Sequence, residues 1–151
     1  MSHAPSASLK RRHQAVRAAT GAKNLDALVV TSLPNITYLT NFTGTSAIVV
    51  LTPDSLYFVT DFRYVTAVRD ADQTAAACPG RELVVVEGSY DATLVRLLSR
   101  IGGRIGFESA QLTVKRHEWI AQSLAAAGGA AHELVATESV VERPRARKDA
   151  Y

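Results

Sequence analysis

The chain has one cysteine, one methionine, one tryptophan and five prolines in 151 residues, and only 7% of it is aromatic. A single thiol, Cys78, cannot close an internal disulfide, so no covalent staple is expected and a reducing compartment fits. No apolar run approaches the roughly 18 residues that a membrane-spanning helix needs. Met1 to Ser8 is small and polar, without the apolar stretch of a secretory signal, so a cytoplasmic location is expected. Net charge is only +3. The basic residues gather near the two ends, at Lys10, Arg11, Arg12 and Arg17 and again at Arg143, Arg145, Arg147 and Lys148. No aromatic residues are interleaved with them, which favours a solvated helix face and a linker over a nucleic-acid surface.

Patterns for self-contained chemistry are missing too. His3, His13, His117 and His132 are scattered, and none belongs to a metal-binding spacing. His117, on a helix, reads as a packing residue. There is no Gly-x-Ser-x-Gly elbow, and Cys78 before Pro79-Gly80 reads as an ordinary small residue and not as a nucleophile. The glycines of Gly102-Gly103-Arg104-Ile105-Gly106 precede a strand, whereas a phosphate loop follows a strand and opens a helix. Asn35-Ile36-Thr37 and Asn41-Phe42-Thr43 match the glycosylation pattern by chance in a chain without a signal.

What is present is an ordinary globular composition, 47% hydrophobic and 21% charged, sized for one domain with one core. Residues 1–8 read as a flexible tail and Leu9–Thr20 as a helix stopped near Gly21. Ala27–Val30 is a continuous apolar run, the signature of a strand buried on both faces. Asn35 can cap a short helix through Thr40. Ala47–Thr52 and Leu56–Thr60, separated by Pro53-Asp54-Ser55, form a hairpin. Asp61 can cap the helix that carries Tyr64, Val68 and Ala71. Leu83–Val86 reads as a further buried strand. Ser89 opens a helix with a Leu94, Leu97, Leu98, Ile101 stripe. Arg104–Phe107 and His132–Ala136 are short strands flanking a Thr113–Ala127 helix. Ser139-Val140-Val141-Glu142 matches a capping box, and Pro144 should end or kink the helix it starts. The expected fold is therefore α/β: a mixed, mostly parallel sheet of about six strands with one β-hairpin and helices packed on it.

Two features stand out as site candidates. Asp61 and Arg63 flank a strand-to-helix junction, where side chains often face a site, although a helix cap and a surface partner are the simpler explanation. Tyr38 and Phe42, with Leu39, lie at near-helical spacing and read as core or interface. Taken alone, these residues describe an α/β domain with no self-contained active site.

The same residues carry a resemblance. Asn35, Ile36, Tyr38, Leu39, Thr40, Phe42 and Gly44 match the pattern Asn-Ile-x-Tyr-Leu-Thr-x-Phe-x-Gly. Thr60, Asp61, Arg63 and Tyr64 then match Thr-Asp-x-Arg-Tyr, and Ile105-Gly106-Phe107-Glu108 matches an "IGFE" strand. With Leu112-Thr113 and the exit from Val140 to Asp149, these strings resemble, in order, the N-terminal domain of the creatinase, prolidase and aminopeptidase P family. The resemblance implies a ribonuclease H-like domain over residues 9–139. Residues 140–151 would begin a linker to a pita-bread catalytic domain. That catalytic domain would hold a dinuclear Mn, Co or Zn centre, whose ligands have no counterpart here, and would hydrolyse X–Pro bonds. The present chain would have no peptidase activity of its own. Its implied partners are its own catalytic domain, further copies in a homodimer or larger homo-oligomer, and short proline-containing peptides, with no nucleic acid and no membrane. On this reading Tyr38, Phe42, Asp61, Arg63 and Tyr64 would wall the substrate cleft or an interface. A domain of this architecture that only binds peptide or protein is the alternative.

Overall fold

The computed structural model describes residues 3–147 and 149. Six strands, β1 (Ala27–Val30), β2 (Ile48–Leu51), β3 (Leu56–Thr60), β4 (Arg81–Val85), β5 (Gly103–Glu108) and β6 (His132–Thr137), form one sheet in the order β4-β3-β2-β1-β5-β6. The β1–β5, β5–β6 and β3–β4 pairs are parallel, and β2 runs antiparallel to both its neighbours. The expected mixed sheet with one hairpin is therefore present. The hairpin turn closes through Thr52 N–H donating to the Ser55 carbonyl (2.9 Å) and Ser55 N–H donating to Thr52 Oγ1 (3.0 Å).

Alternation of side chains divides the core into two layers. Leu28, Val30, Val49, Leu51, Leu56 and Phe58 face one way, towards α1 (Ser6–Ala22), α2 (Leu33–Thr40) and α3 (Phe62–Ala71). Ala27, Val29, Ile48, Val50, Val59 and Ile105 face the other, towards α4 (Tyr90–Ile101) and α5 (Val114–Ala127). The central strands are apolar throughout because both faces are covered, and full burial of each Leu, Ile or Val contributes about 1.5–3 kcal/mol. The leucine stripe of α4 is buried as its spacing requires, with Leu94, Leu97 and Leu98 at most 2% exposed.

Several expectations are corrected. Residues 4–8 are not a loose tail. Ala4 is buried and held on both sides by the Asn41 amide, which accepts from Ala4 N–H (3.0 Å) and donates to its carbonyl (2.8 Å). Pro5 is the N-cap of α1, and its carbonyl accepts Ser8 N–H (2.9 Å) and Leu9 N–H (3.1 Å). Met1 and Ser2 of the expected tail lie outside the described residues. The cap of α2 is Ser32 and not Asn35, since Pro34 is tolerated in the first turn and the helix starts three residues earlier. β4 is an edge strand, half exposed, and not fully buried. The capping box at Ser139 does not form. Ser139 adopts a left-handed backbone (φ 58°), and α6 (Glu142–Ala146) begins without a side-chain cap. Pro144 sits in the first turn of this short helix, where its missing N–H costs nothing. Lys148, Ala150 and Tyr151 of the expected linker lie outside the described residues.

Candidate functional site

β1, β3, β4, β5 and β6 all run in one direction, so their C-terminal ends open at one edge of the sheet. Two constellations lie along that edge.

The first follows β3. Asp61 caps α3 by accepting Arg63 N–H (3.0 Å), and its carboxylate also receives Arg63 Nε (2.8 Å) and Nη2 (3.0 Å). From the opposite layer the Tyr90 hydroxyl accepts Asp61 N–H (3.1 Å) and donates to the second carboxylate oxygen. Four donors thus fill both oxygens. The paired guanidinium first, then the Tyr90 hydroxyl, hold Asp61 well below the usual carboxylate range, and Asp61 in turn raises Arg63. An acid with no vacant lone pair that stays ionised at physiological pH is a brace, not a general base. It fixes Arg63, whose side chain is 56% exposed and whose Nη1 has no partner among the described residues. The guanidinium also lies 5.1 Å from the Tyr64 ring centroid.

Phe42 joins this end of the molecule. Its ring meets Phe58 (centroids 5.0 Å apart) and Tyr64 (5.1 Å) edge-on, an arrangement aromatic quadrupoles favour. The Tyr64 hydroxyl lies 2.7 Å from Thr45 Oγ1 and accepts Thr45 N–H (3.2 Å). Gly44 is needed between the rings, because a Cβ there would lie against the Phe42 ring and 2.7 Å from Tyr64 Cε1. Phe42, Gly44, Tyr64, Ala67 and Val68 line a hollow of about 250 Å³.

Tyr38 lies apart from these four. Its ring carries the Arg12 guanidinium at 4.5 Å, and burial raises its hydroxyl pKa. Arg12 donates to the Tyr38 carbonyl (2.8 Å) and forks onto Asp149 through Nε (2.7 Å) and Nη2 (3.0 Å). Tyr38 therefore belongs to the second constellation, which holds the segment leaving β6.

The centre of that constellation is Glu108, at the end of β5 and 7% exposed. One carboxylate oxygen accepts Thr31 N–H (2.7 Å) and Ser32 N–H (2.9 Å), and the other accepts Asn35 Nδ2 (2.6 Å). The Asn35 carbonyl oxygen accepts Arg145 Nη1 of α6 (2.7 Å). A buried carboxylate is thereby linked through one amide to a guanidinium on the exit segment. Sequence reasoning missed the roles of Arg12, Asn35, Tyr90, Glu108 and Arg145, and missed Phe62, which is 81% exposed beside Arg63. Only Glu108 had a signal, as an acidic residue closing the Ile105-Gly106-Phe107 run of its strand.

The Creatinase/Prolidase N-terminal domain family matches residues 12–147. The chain belongs to that family. It is similar to the uncharacterized peptidase YqhT of Bacillus subtilis, with 32% identity over 94 residues, 62% of this chain and 25% of that protein. Its fold superposes on the N-terminal domain of the cytoplasmic peptidase PepQ from Mycobacterium tuberculosis with a TM-score of 0.73 and 29% identity, over 89% of this chain and 98% of that one. It superposes on an Xaa-Pro dipeptidase from Bacillus anthracis with a TM-score of 0.76 and 24% identity, over 94% of this chain and 37% of that one. The chain therefore spans a quarter to just over a third of the length of these two longer relatives.

Among the described residues no group of three or more His, Cys, Asp and Glu could hold a metal ion. No helix among them is long and apolar enough to cross a membrane.

Proposed function

We propose that this domain serves an Xaa-Pro peptidase as a supporting unit: it fixes the start of the catalytic domain and walls the substrate cleft. The observation that carries the reading is the exit segment. It is held to the domain by the Arg12–Asp149 fork and the Arg145–Asn35–Glu108 chain, two independent clasps that would give whatever follows a defined orientation. In this reading Phe42, Asp61, Arg63 and Tyr64 form the wall, with Arg63 presenting a fixed cation to a peptide carboxylate, and Tyr38 serves the exit clasp. The metal centre, the oligomer and the X–Pro substrates belong to the whole enzyme, and a cytoplasmic setting fits the buried free thiol.

The test compares this chain with the same chain extended into a catalytic domain, assayed with Mn on an X–Pro dipeptide and an X–Pro-X tripeptide. Activity is expected only in the extended protein. There, Arg63→Ala should raise KM more than it lowers kcat. Activity in neither protein, or an Arg63→Ala variant of the extended enzyme with unchanged kinetics, specificity and assembly, overturns the proposal.

A further inference from the structure

A concave surface lies between α1 and the exit segment. It is a groove of about 500 Å³, within the range of ligand-binding clefts. Its floor is aliphatic, made by Ala15, Ala18, Ala19, Val140 and the Pro144 ring. Its rim is basic.

The charge census is uneven. The groove is lined by five basic residues, Arg11, Arg12, Lys23, Arg143 and Arg147, against two acidic ones, Glu138 and Asp149. The whole chain has 17 basic and 14 acidic residues. The remaining twelve basic and twelve acidic side chains cancel, so the protein's entire excess of +3 resides around this one groove. Arg12 is committed to Asp149 and Tyr38, and Arg11 donates to Ser8 Oγ (2.9 Å). Lys23, Arg143 and Arg147 have no side-chain partner among the described residues, and all three are exposed. Free cations above an apolar floor attract carboxylates that carry small apolar neighbours. The single aromatic, Tyr38, has a face already covered by Arg12, so no stacking platform is left for a nucleotide base.

We propose that this groove binds an acidic polypeptide segment, with aliphatic side chains on the alanine floor and carboxylates against Arg143, Arg147 and Lys23. The occupant lies along the exit segment, so its binding would add to the clasps that hold α6.

The test uses a fluorescein-labelled octapeptide of alternating glutamate and alanine, titrated with this chain and followed by fluorescence anisotropy at 50 and 300 mM salt. Two double variants carry the same net charge. R143E/R147E reverses the groove, whereas R69E/R100E reverses exposed cations on α3 and α4. Exposed ion pairs contribute a few tenths of a kcal/mol up to about 1 kcal/mol each, so replacing two attractions by repulsions should weaken binding about tenfold. R69E/R100E should weaken it less than about twofold, since screening confines surface charge effects to about 10 Å. Circular dichroism melting checks that both variants fold, and a third variant, Ala18→Asp, attacks the floor without touching an arginine. Equal losses in the two double variants would reduce the effect to net charge and overturn the proposal. So would an absence of peptide binding, or tighter binding of a labelled eight-nucleotide oligothymidylate than of the peptide.

Discussion

Replacing Glu108 separates a fold-supporting role from an exit-holding one. In Glu108→Ala, Thr31 N–H, Ser32 N–H and the Asn35 amide all lose their acceptor in a site that is 7% exposed. An orphaned buried donor costs about 1–3 kcal/mol. Water can enter from the open hollow beside Ser109 and Thr137, which softens the loss, so the sum should fall near 3–5 kcal/mol rather than at the upper limit. In a domain of this size that lowers Tm by about 6–20 °C. Glu108→Gln is different. Its carbonyl oxygen can still accept both main-chain N–H groups, but its NH₂ would face Asn35 Nδ2. Turning the Asn35 amide repairs that clash and moves it outward, setting Asn35 Nδ2 against Arg145 Nη1. The conservative variant should therefore cost only about 1–2 kcal/mol while releasing α6. Urea denaturation measures the first quantity, and the initial rate of tryptic cleavage after Arg145 measures the second. Glu108→Ala within about 1 kcal/mol of the parent, or Glu108→Gln with unchanged cleavage after Arg145, would refute the reasoning.

Other outcomes follow from the same geometry. His13 is buried with its Nε2 2.7 Å from the Leu39 carbonyl, and burial lowers its pKa below 6.5. The unfolded chain binds the proton more readily, so this contribution to stability is present above pH 6.5 and is lost as pH falls below it. His13→Gln should flatten that part of a urea-midpoint against pH profile, and an unchanged slope would count against it. Gly44→Ala should destabilise by about 1–3 kcal/mol through overpacking of Phe42 and Tyr64, measurable by denaturation, with a loss of edge-on ring shifts in NMR. The Cys78 thiol, pushed up to about 12 by burial, should react with a disulfide reagent at pH 8 only at the rate of opening, and fast labelling of native protein would contradict that. Arg12→Ala should speed tryptic cleavage after Arg147 with little change in cleavage after Arg145, since each clasp holds its own part of the segment.

Elements governed by local chemistry were legible in advance. Continuous apolar runs marked β1 to β3, and Ser89 and Asp61 open their helices as read. Errors arose where distant partners override local preference. Asn35 is a good cap by type, but Arg145, 110 residues away, claims its Oδ1, the atom a cap would use, and the cap falls to Ser32. Leu83–Val86 is apolar enough for an interior strand, yet nothing in its own composition says that no strand pairs beyond it. The small polar tail gave no hint that Asn41 would hold it. At the site, four of the five residues named from sequence come together, and Tyr38 separates from them because α2 turns its ring towards α1. Arg12, Tyr90 and Arg145 were not legible, since their partners lie 26 to 137 residues away and no local pattern encodes such pairs.

The lone reversed strand has a geometric consequence. By entering the sheet upside down, β2 lets β3 and β4 keep the direction of β1 while adding a rung between them. Neighbouring strands are about 4.8 Å apart, so three rungs place the Asp61 corner about 14 Å from the Glu108 corner along a single edge. The hairpin thus works as a fixed-width spacer between the corner that holds Arg63 out and the corner that holds the exit segment in. A change in loop length would leave that gauge untouched, whereas loss of one strand would close it by a third.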